Sequence, residues 1–241
     1  METPSYIALA RQDTLRRQMD VIANNVANMN TTGFKAQRMQ FVEFLERASQ
    51  SERYSMPVDL ATTRDNRPGP VTPTGNPLDV AIEGDAYFVV DTANGPRYTR
   101  SGQFRLDSQR RIVDKSGLPV LNQANQPMAI PAAANEITIT ESGIVSTELG
   151  QVGRFRMVRF NGDQQLEEVG NGLYATDQQA VAAEDAKVVQ GMLEGSNVQG
   201  VVEMTSMISV TREYQQVQKM IEAEHERMRT ANRQLSRLSG A

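Results

Sequence analysis

An apolar stripe near the C-terminus constrains this chain more than any other feature. Five residues recur there every seven positions: Met207, Tyr214, Ile221, Met228 and Leu235. A second set fills the alternate positions of a heptad repeat: Val210, Val217, Glu224, Ala231 and Leu238. The pattern predicts one long helix, because about 35 residues at 1.5 Å per residue reach roughly 55 Å. A small β domain cannot enclose a helix of that length, so the stripe needs another partner.

A second helix is predicted at the N-terminus. It begins at Thr3-Pro4, a capping residue followed by the proline that suits the first helical position. We expect it to end within Asn28–Gly33, because asparagine and threonine compete for backbone hydrogen bonds and Gly33 can adopt the left-handed conformation. A shorter helical or mixed segment around Phe41–Leu45 is expected to follow. The apolar stripe of the N-terminal helix comprises Ala8, Leu15, Met19, Ile22, Val26 and Met29.

The two stripes are expected to pack against each other. The chain runs out along one helix and returns along the other, so the pair would be antiparallel. Because the C-terminal helix is much longer, part of its stripe is left uncovered within one chain, and we expect neighbouring subunits to cover it. The periodicity leaves two alternatives open: an ordinary intramolecular helical hairpin and a homodimeric coiled coil.

The middle of the chain is predicted to be β structure. Residues 50–77 are rich in Pro, Thr, Gly and Arg, which indicates an irregular connector. Many short strand-like runs separated by turn residues favour an antiparallel barrel-like or sandwich-like domain, with Asn161-Gly162 and Asn171-Gly172 as hairpin turns. The runs are residues 78–82, 87–91, 97–100, 103–107, 111–114, 136–140, 144–147, 155–160 and 173–176.

The predicted fold class is therefore α+β with a mainly β middle. Paired N- and C-terminal coiled-coil helices would flank an antiparallel β-rich domain. The predicted domains are an N-terminal helix over residues 1–33, a connector over 34–77, a β-rich domain over 78–195 and a C-terminal helix over 196–241.

Composition excludes several classes of function. The net charge of −4 and the pI near 5.2 argue against nucleic-acid binding, which usually requires a basic surplus. The absence of cysteine removes thiolate metal sites and a cysteine nucleophile. No stretch approaches the roughly 20 apolar residues of a membrane span, and the first residues lack the features of a secretory signal peptide.

No catalytic, cofactor-binding or metal site is predicted. The segment Gly75–Val90 lacks the spacing of a phosphate-binding loop. Three carboxylates in it, Asp79, Glu83 and Asp85, are expected to be solvated or to cap turns rather than to form an acid–base pair. His225 is the one histidine of the chain, and a metal site would need more donor residues beside it. We therefore predict that the chain is not an enzyme.

Three stretches carry a family resemblance. Ala23–Lys35 reads Ala-Asn-Asn-Val-Ala-Asn-Met-Asn-Thr-Thr-Gly-Phe-Lys, and it resembles the signature of the flagellar axial proteins of the rod and hook. Thr74–Val90 and Tyr98–Phe104 resemble the β-domain motif of that family. Leu193–Ile221, with Glu-Gly-Ser-Asn-Val near its start, resembles the C-terminal signature. The motifs occur in the order of the family and cover nearly the whole chain.

The resemblance implies a structural subunit of the bacterial flagellar rod. Members of the family leave the cell through the flagellar type III export apparatus without a cleaved signal peptide and assemble in the periplasm. Their terminal helices form the inner layer of a hollow shaft that transmits torque and lines the export channel, and the β domain lies outside it. The implied partners are further copies and other rod proteins, proximal and distal, with neither nucleic acid nor membrane insertion.

The opening residues and short length favour a proximal-rod member of the family. The alternatives are its longer distal-rod sister and a coiled-coil adaptor that carries a β binding module.

The predicted subunit-assembly residues come from the motifs and the heptads together. Asparagine can both donate and accept, so the asparagines of the first motif could satisfy backbone groups across a subunit boundary, although a plain polar turn would also use them. In the N-terminal part the predicted residues are Leu15, Met19, Ile22, Asn24, Asn25, Val26, Asn28, Met29, Asn30, Gly33 and Phe34. In the C-terminal helix they are Met207, Val210, Tyr214, Val217, Ile221, Met228 and Leu235.

Overall fold

The computed structural model describes residues 3–47, 53–162 and 165–238. The chain divides into two compact units. The first, here called the helical unit, contains both long helices and one β hairpin, within residues 1–27, 37–65 and 199–241. The second, here called the β unit, consists of residues 28–36 and 66–198.

The helical unit contains helix α1, Thr3–Ala27, and helix α2, Gly200–Leu238. α1 ends immediately before the polar segment where a helix end was expected, so that prediction is confirmed. α2 has 39 residues and is about 58 Å long at 1.5 Å per residue, as the heptads predicted. Side chains of both helices form one apolar cluster, in which Leu15, Ile22 and Val210 are buried.

Two contacts between the helices show their relative direction. Arg11 forms an ion pair with Glu213 at 2.7 Å, whereas the later Met19 accepts a hydrogen bond from the hydroxyl of the earlier Thr211 at 3.8 Å. This order is that of an antiparallel pair. α1 has 25 residues and α2 has 39, a difference of 14, so about 21 Å of α2 exceeds the length of its partner.

The β hairpin of the helical unit corrects one prediction. Strands β1, Gln37–Arg47, and β2, Arg53–Arg64, pair antiparallel from Gln37 opposite Arg64 to Arg47 opposite Arg53. The helical or mixed segment expected around Phe41–Leu45 is therefore a strand, and part of the irregular connector expected over 50–77 is β2. Aromatic and β-branched residues favour the strand, and the paired ladder satisfies its backbone. The side chains of Phe41, Phe44 and Leu45 lie outside the described part.

The β unit confirms a β-rich middle with antiparallel sheets. The strands are β3 Val71–Pro73, β4 Val80–Glu83, β5 Tyr87–Val90, β6 Arg97–Thr99, β7 Arg105–Leu106, β8 Ile112–Val113, β9 Ile137–Ile139, β10 Ile144–Thr147, β11 Gly150–Arg154, β12 Met157–Arg159, β13 Glu167–Gly170, β14 Leu173–Ala175, β15 Val181–Ala182, β16 Lys187–Gln190 and β17 Met192–Glu194. The largest sheet has six strands, in the order β13-β14-β6-β5-β12-β15, and β9–β11 form a three-stranded sheet.

Each predicted strand-like run of the middle region overlaps an observed strand, whereas β3, β11, β13 and β15–β17 were not predicted. Asn171-Gly172 forms the predicted hairpin turn between β13 and β14, because both residues have positive φ, 55° and 73°. Neither residue of Asn161-Gly162 has a positive φ, so that pair does not form the same type of turn.

Two apolar clusters fill the β unit. In the larger one, the ring of Phe88 contacts those of Phe104 and Phe155 at centroid distances of 5.0 and 5.3 Å. In the smaller one, Tyr87 packs edge-on against Tyr174 at 5.8 Å. Edge-to-face rings at these distances add to the free energy of burial, so the β unit has a core of its own.

Candidate assembly site

The predicted heptad residues of the two helices come together in the helical unit. Leu15, Ile22 and Val210 are buried, and Met19, Val26, Met207, Tyr214 and Val217 pack around them. Ile221 is half-buried, and beyond Glu224 every side chain from His225 to Thr230 is exposed, including Met228 at 37%. Leu235 lies in α2, but its side chain lies outside the described part. The heptad stripe therefore continues past the residues that α1 contacts.

Asn25 joins the last turn of α1 to the start of β1. Its side-chain amide donates to the carbonyl of Gln37 at 2.9 Å, and its side-chain carbonyl accepts from the N–H of Gln37 at 2.8 Å. Only 1% of Asn25 is exposed, so its polar atoms are satisfied inside the chain. A bond from Asn25 to another subunit is therefore not required, although the assembly role predicted for the asparagines stays a prediction.

The other asparagines of the first motif are less buried. Asn24 and Asn28 are half-buried and Asn30 is exposed. The Asn28 side chain accepts a hydrogen bond from the hydroxyl of Thr31 at 3.1 Å, which closes the turn after α1. Met29, expected in the stripe of the first helix, lies beyond Ala27 in this turn and is half-buried.

Gly33 occupies a place in the β unit that no other residue type fits. Its φ of +69° lies in the left-handed region, which glycine adopts without steric penalty, although Gly33 is six residues beyond the end of α1 and does not cap it. A Cβ atom at this position would lie 2.7 Å from the carbonyl carbon of Arg100 and from the nitrogen of Ser101. Its N–H donates to the carbonyl of Glu194 at 2.8 Å. The backbone geometry therefore requires glycine at this position, and the assembly role predicted for Gly33 stays a prediction.

Phe34 is only 2% exposed. Its carbonyl accepts a hydrogen bond from the N–H of Asn197 at 3.3 Å. The side chain of Asn197 accepts in turn from the N–H of Ala36 at 2.7 Å. Segment 33–36 is therefore bonded to segment 194–197 over several residues in succession.

A buried cluster of three charged residues lies next to Gly33. Lys35 Nζ is 2.6 Å from Glu194 Oε1, and the guanidinium of Arg100 donates two hydrogen bonds to Glu194 Oε2, at 3.1 and 3.0 Å. At most 6% of any of the three side chains is exposed. We call these residues the charged cluster. It carries two positive charges and one negative charge.

The backbone supplies the remaining partners of the charged cluster. The N–H of Gly69 donates to Glu194 Oε1 at 3.1 Å, and Lys35 donates to the carbonyl of Arg67 at 2.9 Å. Arg100 also donates to the carbonyls of Gly84 and Ala86, at 2.8 and 3.0 Å. Burial raises the pKa of Glu194, but Arg100 and then Lys35 outweigh it, so the net effect lowers the pKa below its ordinary value.

The charged cluster joins the three family motifs in space. Lys35 ends the first motif, Arg100 lies in the Tyr98–Phe104 stretch, and Glu194 begins the Glu-Gly-Ser-Asn-Val run of the third. Sequence reasoning missed it because Glu194 is 159 residues from Lys35 and 94 from Arg100. The available signal was one charged residue inside each motif. Since each charged atom is occupied by protein partners, the arrangement acts as a structural tie rather than a reactive centre.

The described residues contain no group of three or more His, Cys, Asp and Glu side chains arranged to hold a metal ion. Asp79 is buried and accepts a hydrogen bond from Asn76 at 3.1 Å, which fits a turn-capping role, whereas Glu83, Asp85 and His225 are exposed. Within the same described residues, neither helix combines the length and the apolar character needed to cross a membrane.

Three family models match successive parts of the chain. Residues 6–35 match the flagella basal body rod protein family. Residues 81–147 match the D1 domain of the flagellar hook proteins FlgE/F/G. Residues 189–234 match the C-terminal region of the flagellar basal body rod FlgEFG proteins. Each of the three residues of the charged cluster lies inside a different one of these matched ranges.

Curated relatives match over nearly the full length. The flagellar basal-body rod protein FlgF of Caulobacter vibrioides is 36% identical, over 99% of this chain and 100% of the relative. FlgF of Rhizobium meliloti is 31% identical over 90% and 91% of the two chains. The rod protein FlgG of Caulobacter vibrioides is 35% identical over 84% and 88%. The chain therefore belongs to the family of flagellar basal-body rod proteins that includes FlgF and FlgG.

Proposed function

We propose that this chain is a structural subunit of the proximal part of the flagellar basal-body rod and that it polymerises through its terminal helices. The observation that carries the proposal is the 36% identity to a FlgF protein over the whole length of both chains. Rod proteins of this family are structural, so the chain is not an enzyme. Its partners are other rod proteins and further copies of itself.

The helical unit supports a role in polymerisation. About 21 Å of α2 exceeds the length of α1, and the heptad stripe continues there through Met228 and Leu235. An isolated helix gains most of its stability by burying such a stripe. Helices of neighbouring subunits would cover this part and extend the α1–α2 pair into a coiled coil. The predicted assembly residues of both helices, including Leu235, would then lie between subunits or next to them.

The charged cluster supports a role in bearing load. Segment 28–36 follows α1 in the chain, and segment 194–198 precedes α2. The cluster and the hydrogen bonds of Gly33, Ala36 and Asn197 tie these two segments together. A torque that reaches either helix would pass through this tie into the β unit, which suits a drive shaft.

The remaining features of the proposal follow the family. The subunit would leave the cell through the flagellar type III export apparatus without a cleaved signal peptide, and it would assemble in the periplasm. The proposed organisation is a rod-domain helix over residues 1–33, a connector over 34–77, an outer β-rich domain over 78–195 and a second rod-domain helix over 196–241. The helices would surround the export channel.

Quantitative mass spectrometry of purified hook–basal bodies tests the proposal. A few copies of the chain per particle are expected for a proximal-rod subunit. A count several-fold higher would assign it to the distal segment instead. Complete absence from particles that contain the other rod proteins would reject the rod assignment and favour the coiled-coil adaptor.

A further inference from the structure

A cavity of about 310 Å³ opens on the β unit beside strands β12 and β15. Its floor is the segment 154–158, one wall is the turn around residues 123 and 125, and the other wall is formed by residues between 180 and 184. The volume is near the lower end of the range for ligand sites, which begins at about 300 Å³, so the cavity suits a small molecule. None of its lining residues belongs to the charged cluster or to the helical unit.

Two arginines line the floor of the cavity. The residues between and after them, Phe155 and Met157, belong to the larger apolar cluster, so their side chains face the interior of the β unit. Because successive side chains of an extended segment alternate, Arg154 and Arg156 lie together on the opposite face, and both line the cavity. Both arginines are half-buried. The floor therefore presents two guanidinium groups to the same space.

A rigid turn holds one of these guanidinium groups in place. The side-chain carbonyl of Asn122 accepts hydrogen bonds from the N–H groups of Ala124 and Gln126, at 2.9 and 3.0 Å. Between them, Asn125 has a φ of 60°, and its side-chain carbonyl accepts a hydrogen bond from Arg156. A guanidinium has five N–H donors, so this bond orients Arg156 and leaves other donors for a ligand. Such preorganisation lowers the cost of binding.

The second arginine is also held by a neutral partner. Arg154 Nε donates to the carbonyl of Ser142 at 2.6 Å. Within the described part of the chain, the hydrogen-bond partners of Arg154 and Arg156 are uncharged, so neither positive charge has a counter-charge. The nearby Arg159 of β12 differs, because it forms an ion pair with Asp185 at 3.0 Å.

The opposite wall carries one carboxylate. Glu184 follows β15, and the N–H of the preceding Ala183 donates to the carbonyl of Met157 at 3.0 Å, which fixes this wall to β12. Glu184 is exposed, and the ion pair of this wall is made by its neighbour Asp185 instead. The cavity therefore combines two positive charges on its floor with one negative charge on its wall.

We propose that this cavity binds a free acidic α-amino acid, of the class of glutamate and aspartate. Such a molecule carries two carboxylates and one ammonium group at neutral pH, which complements two guanidinium groups and one carboxylate. Each ligand carboxylate would accept charge-assisted hydrogen bonds from one arginine, whose planar fork matches a carboxylate. The ammonium group would pair with Glu184, and the ligand carbons would lie against Val158 and Ala180, which also line the cavity.

This binding role goes beyond the proposed structural function and is independent of it. The lining residues all lie in the β unit, so neither contact between copies nor assembly of a rod is needed to form the site. The purified full-length chain can therefore be tested directly.

Titration with L-glutamate, followed by two-dimensional ¹H–¹⁵N NMR of the purified chain, tests the proposal. Two control ligands are glutarate, which has both carboxylates but no ammonium group, and lysine, which has only one carboxylate. We expect saturable shifts at the amides of residues 123–126 and 180–184. Glutamate should bind about three- to fivefold more tightly than glutarate, because Glu184 is exposed and an exposed ion pair contributes little. Lysine should not bind.

Three variants assign the binding to the named side chains. Arg156→Gln should weaken glutamate binding by about tenfold or more, because it removes a charge-assisted hydrogen-bond donor. Glu184→Gln should abolish the preference for glutamate over glutarate. Arg159→Gln is the matched control, since it removes an exposed arginine of β12 that does not line the cavity, and it should leave the affinity unchanged. Glu184 and Arg159 are both exposed, so these two variants give an answer even if Arg156→Gln impairs folding.

Four outcomes would overturn the proposal. They are no saturable binding of glutamate up to about 10 mM, equal binding of lysine, an unchanged affinity in a folded Arg156→Gln variant, and a preference for glutamate over glutarate that persists in Glu184→Gln. None of them would alter the copy number of the chain in basal bodies, so the rod assignment is tested separately.

Discussion

The β unit and the helical unit differ in how much of their apolar side-chain surface is buried within a single chain. In the β unit, Phe88, Phe155 and Tyr174 are at most 1% exposed, and the two buried cations of the charged cluster both pair with its one carboxylate. In the helical unit, Val201, Ile208 and Met220 are each more than half exposed. The β unit buries an aromatic core within a single chain, whereas α2 keeps several apolar side chains exposed along its length. A subunit that must fold before it polymerises needs both kinds of region.

The largest expected effect tests the closed core of the β unit. Phe88→Ala removes a ring that packs edge-on against Phe104 and Phe155. We expect a loss of about 3–5 kcal/mol in the free energy of unfolding, because the cavity cannot collapse between strands. The matched control is Met204→Ala on α2, which is 48% exposed and should change it by less than about 0.5 kcal/mol. Urea denaturation followed by circular dichroism measures both, and comparable losses would contradict the contrast between the units.

The charged cluster provides the next test. Glu194→Gln keeps the shape of the side chain but leaves Lys35 and Arg100 buried without a counter-charge. Removal of one partner of a buried pair is strongly destabilising, so we expect a loss of about 3 kcal/mol. The control is the exposed ion pair Arg11–Glu213. Glu213→Gln should lower the free energy of unfolding by less than about 1 kcal/mol. Amide hydrogen exchange in the β unit should be faster in Glu194→Gln than in the natural chain. An unchanged exchange rate there would show that the charged cluster does not hold the two segments together.

The charged cluster also marks the limit of prediction from the sequence. Local patterns predicted both helices and nine of the seventeen described strands, since heptad spacing and alternation with turn residues act over a few neighbours. The hairpin β1–β2 escaped prediction because Phe41, Phe44 and Leu45 follow the i, i+3, i+4 spacing of a helix, and antiparallel pairing with β2 overrides that local pattern. Lys35, Arg100 and Glu194 are ordinary charged residues in the sequence, and only the fold brings them together. The family resemblance identified the right segments but not the contacts between them.

A smaller loss is expected in the seam between the helices. Leu15→Ala empties a fully buried position next to Ile22 and Val210. We expect the free energy of unfolding to fall by about 2–3 kcal/mol. This is at the lower end of the range for leucine, because two helices can move together to fill the cavity more easily than the strands of a sheet core can. Hydrogen exchange should increase in α1 and α2 while protection of β5 and β12 stays unchanged. Equal loss of protection in both units would show that they unfold as one.

The pH dependence of the charged cluster should be smaller still. The pKa of Glu194 is lowered in the folded chain, so its contribution is fully present above the unfolded pKa, near 4.5, and is lost as pH falls through the folded pKa. The stability difference between the natural chain and Glu194→Gln should therefore stay constant from pH 7 to pH 5. It should shrink as the pH decreases further. If the stability difference instead grows below pH 4.5, the pKa of Glu194 is not lowered in the folded chain.

The smallest effect on the isolated chain is expected at Met228, and it separates folding from assembly. Met228 lies in the heptad stripe beyond the residues that α1 contacts and is 37% exposed. Met228→Asp should leave the free energy of unfolding within about 0.5 kcal/mol of the natural value, because nothing is buried there in the single chain. In the rod the same change would bury an unpaired charge, which is unfavourable by several kcal/mol.

The control is Thr230→Asp, which adds the same charge to an exposed position on the other side of α2. We expect at least tenfold fewer copies of Met228→Asp than of Thr230→Asp in isolated basal bodies, with loss of motility only in the former. If both variants assemble equally, the uncovered part of the stripe is not a subunit interface, and the apolar surface of the helical unit must be used elsewhere. If both fail, added charge anywhere on this part of α2 blocks assembly, and the heptad register does not explain the contact.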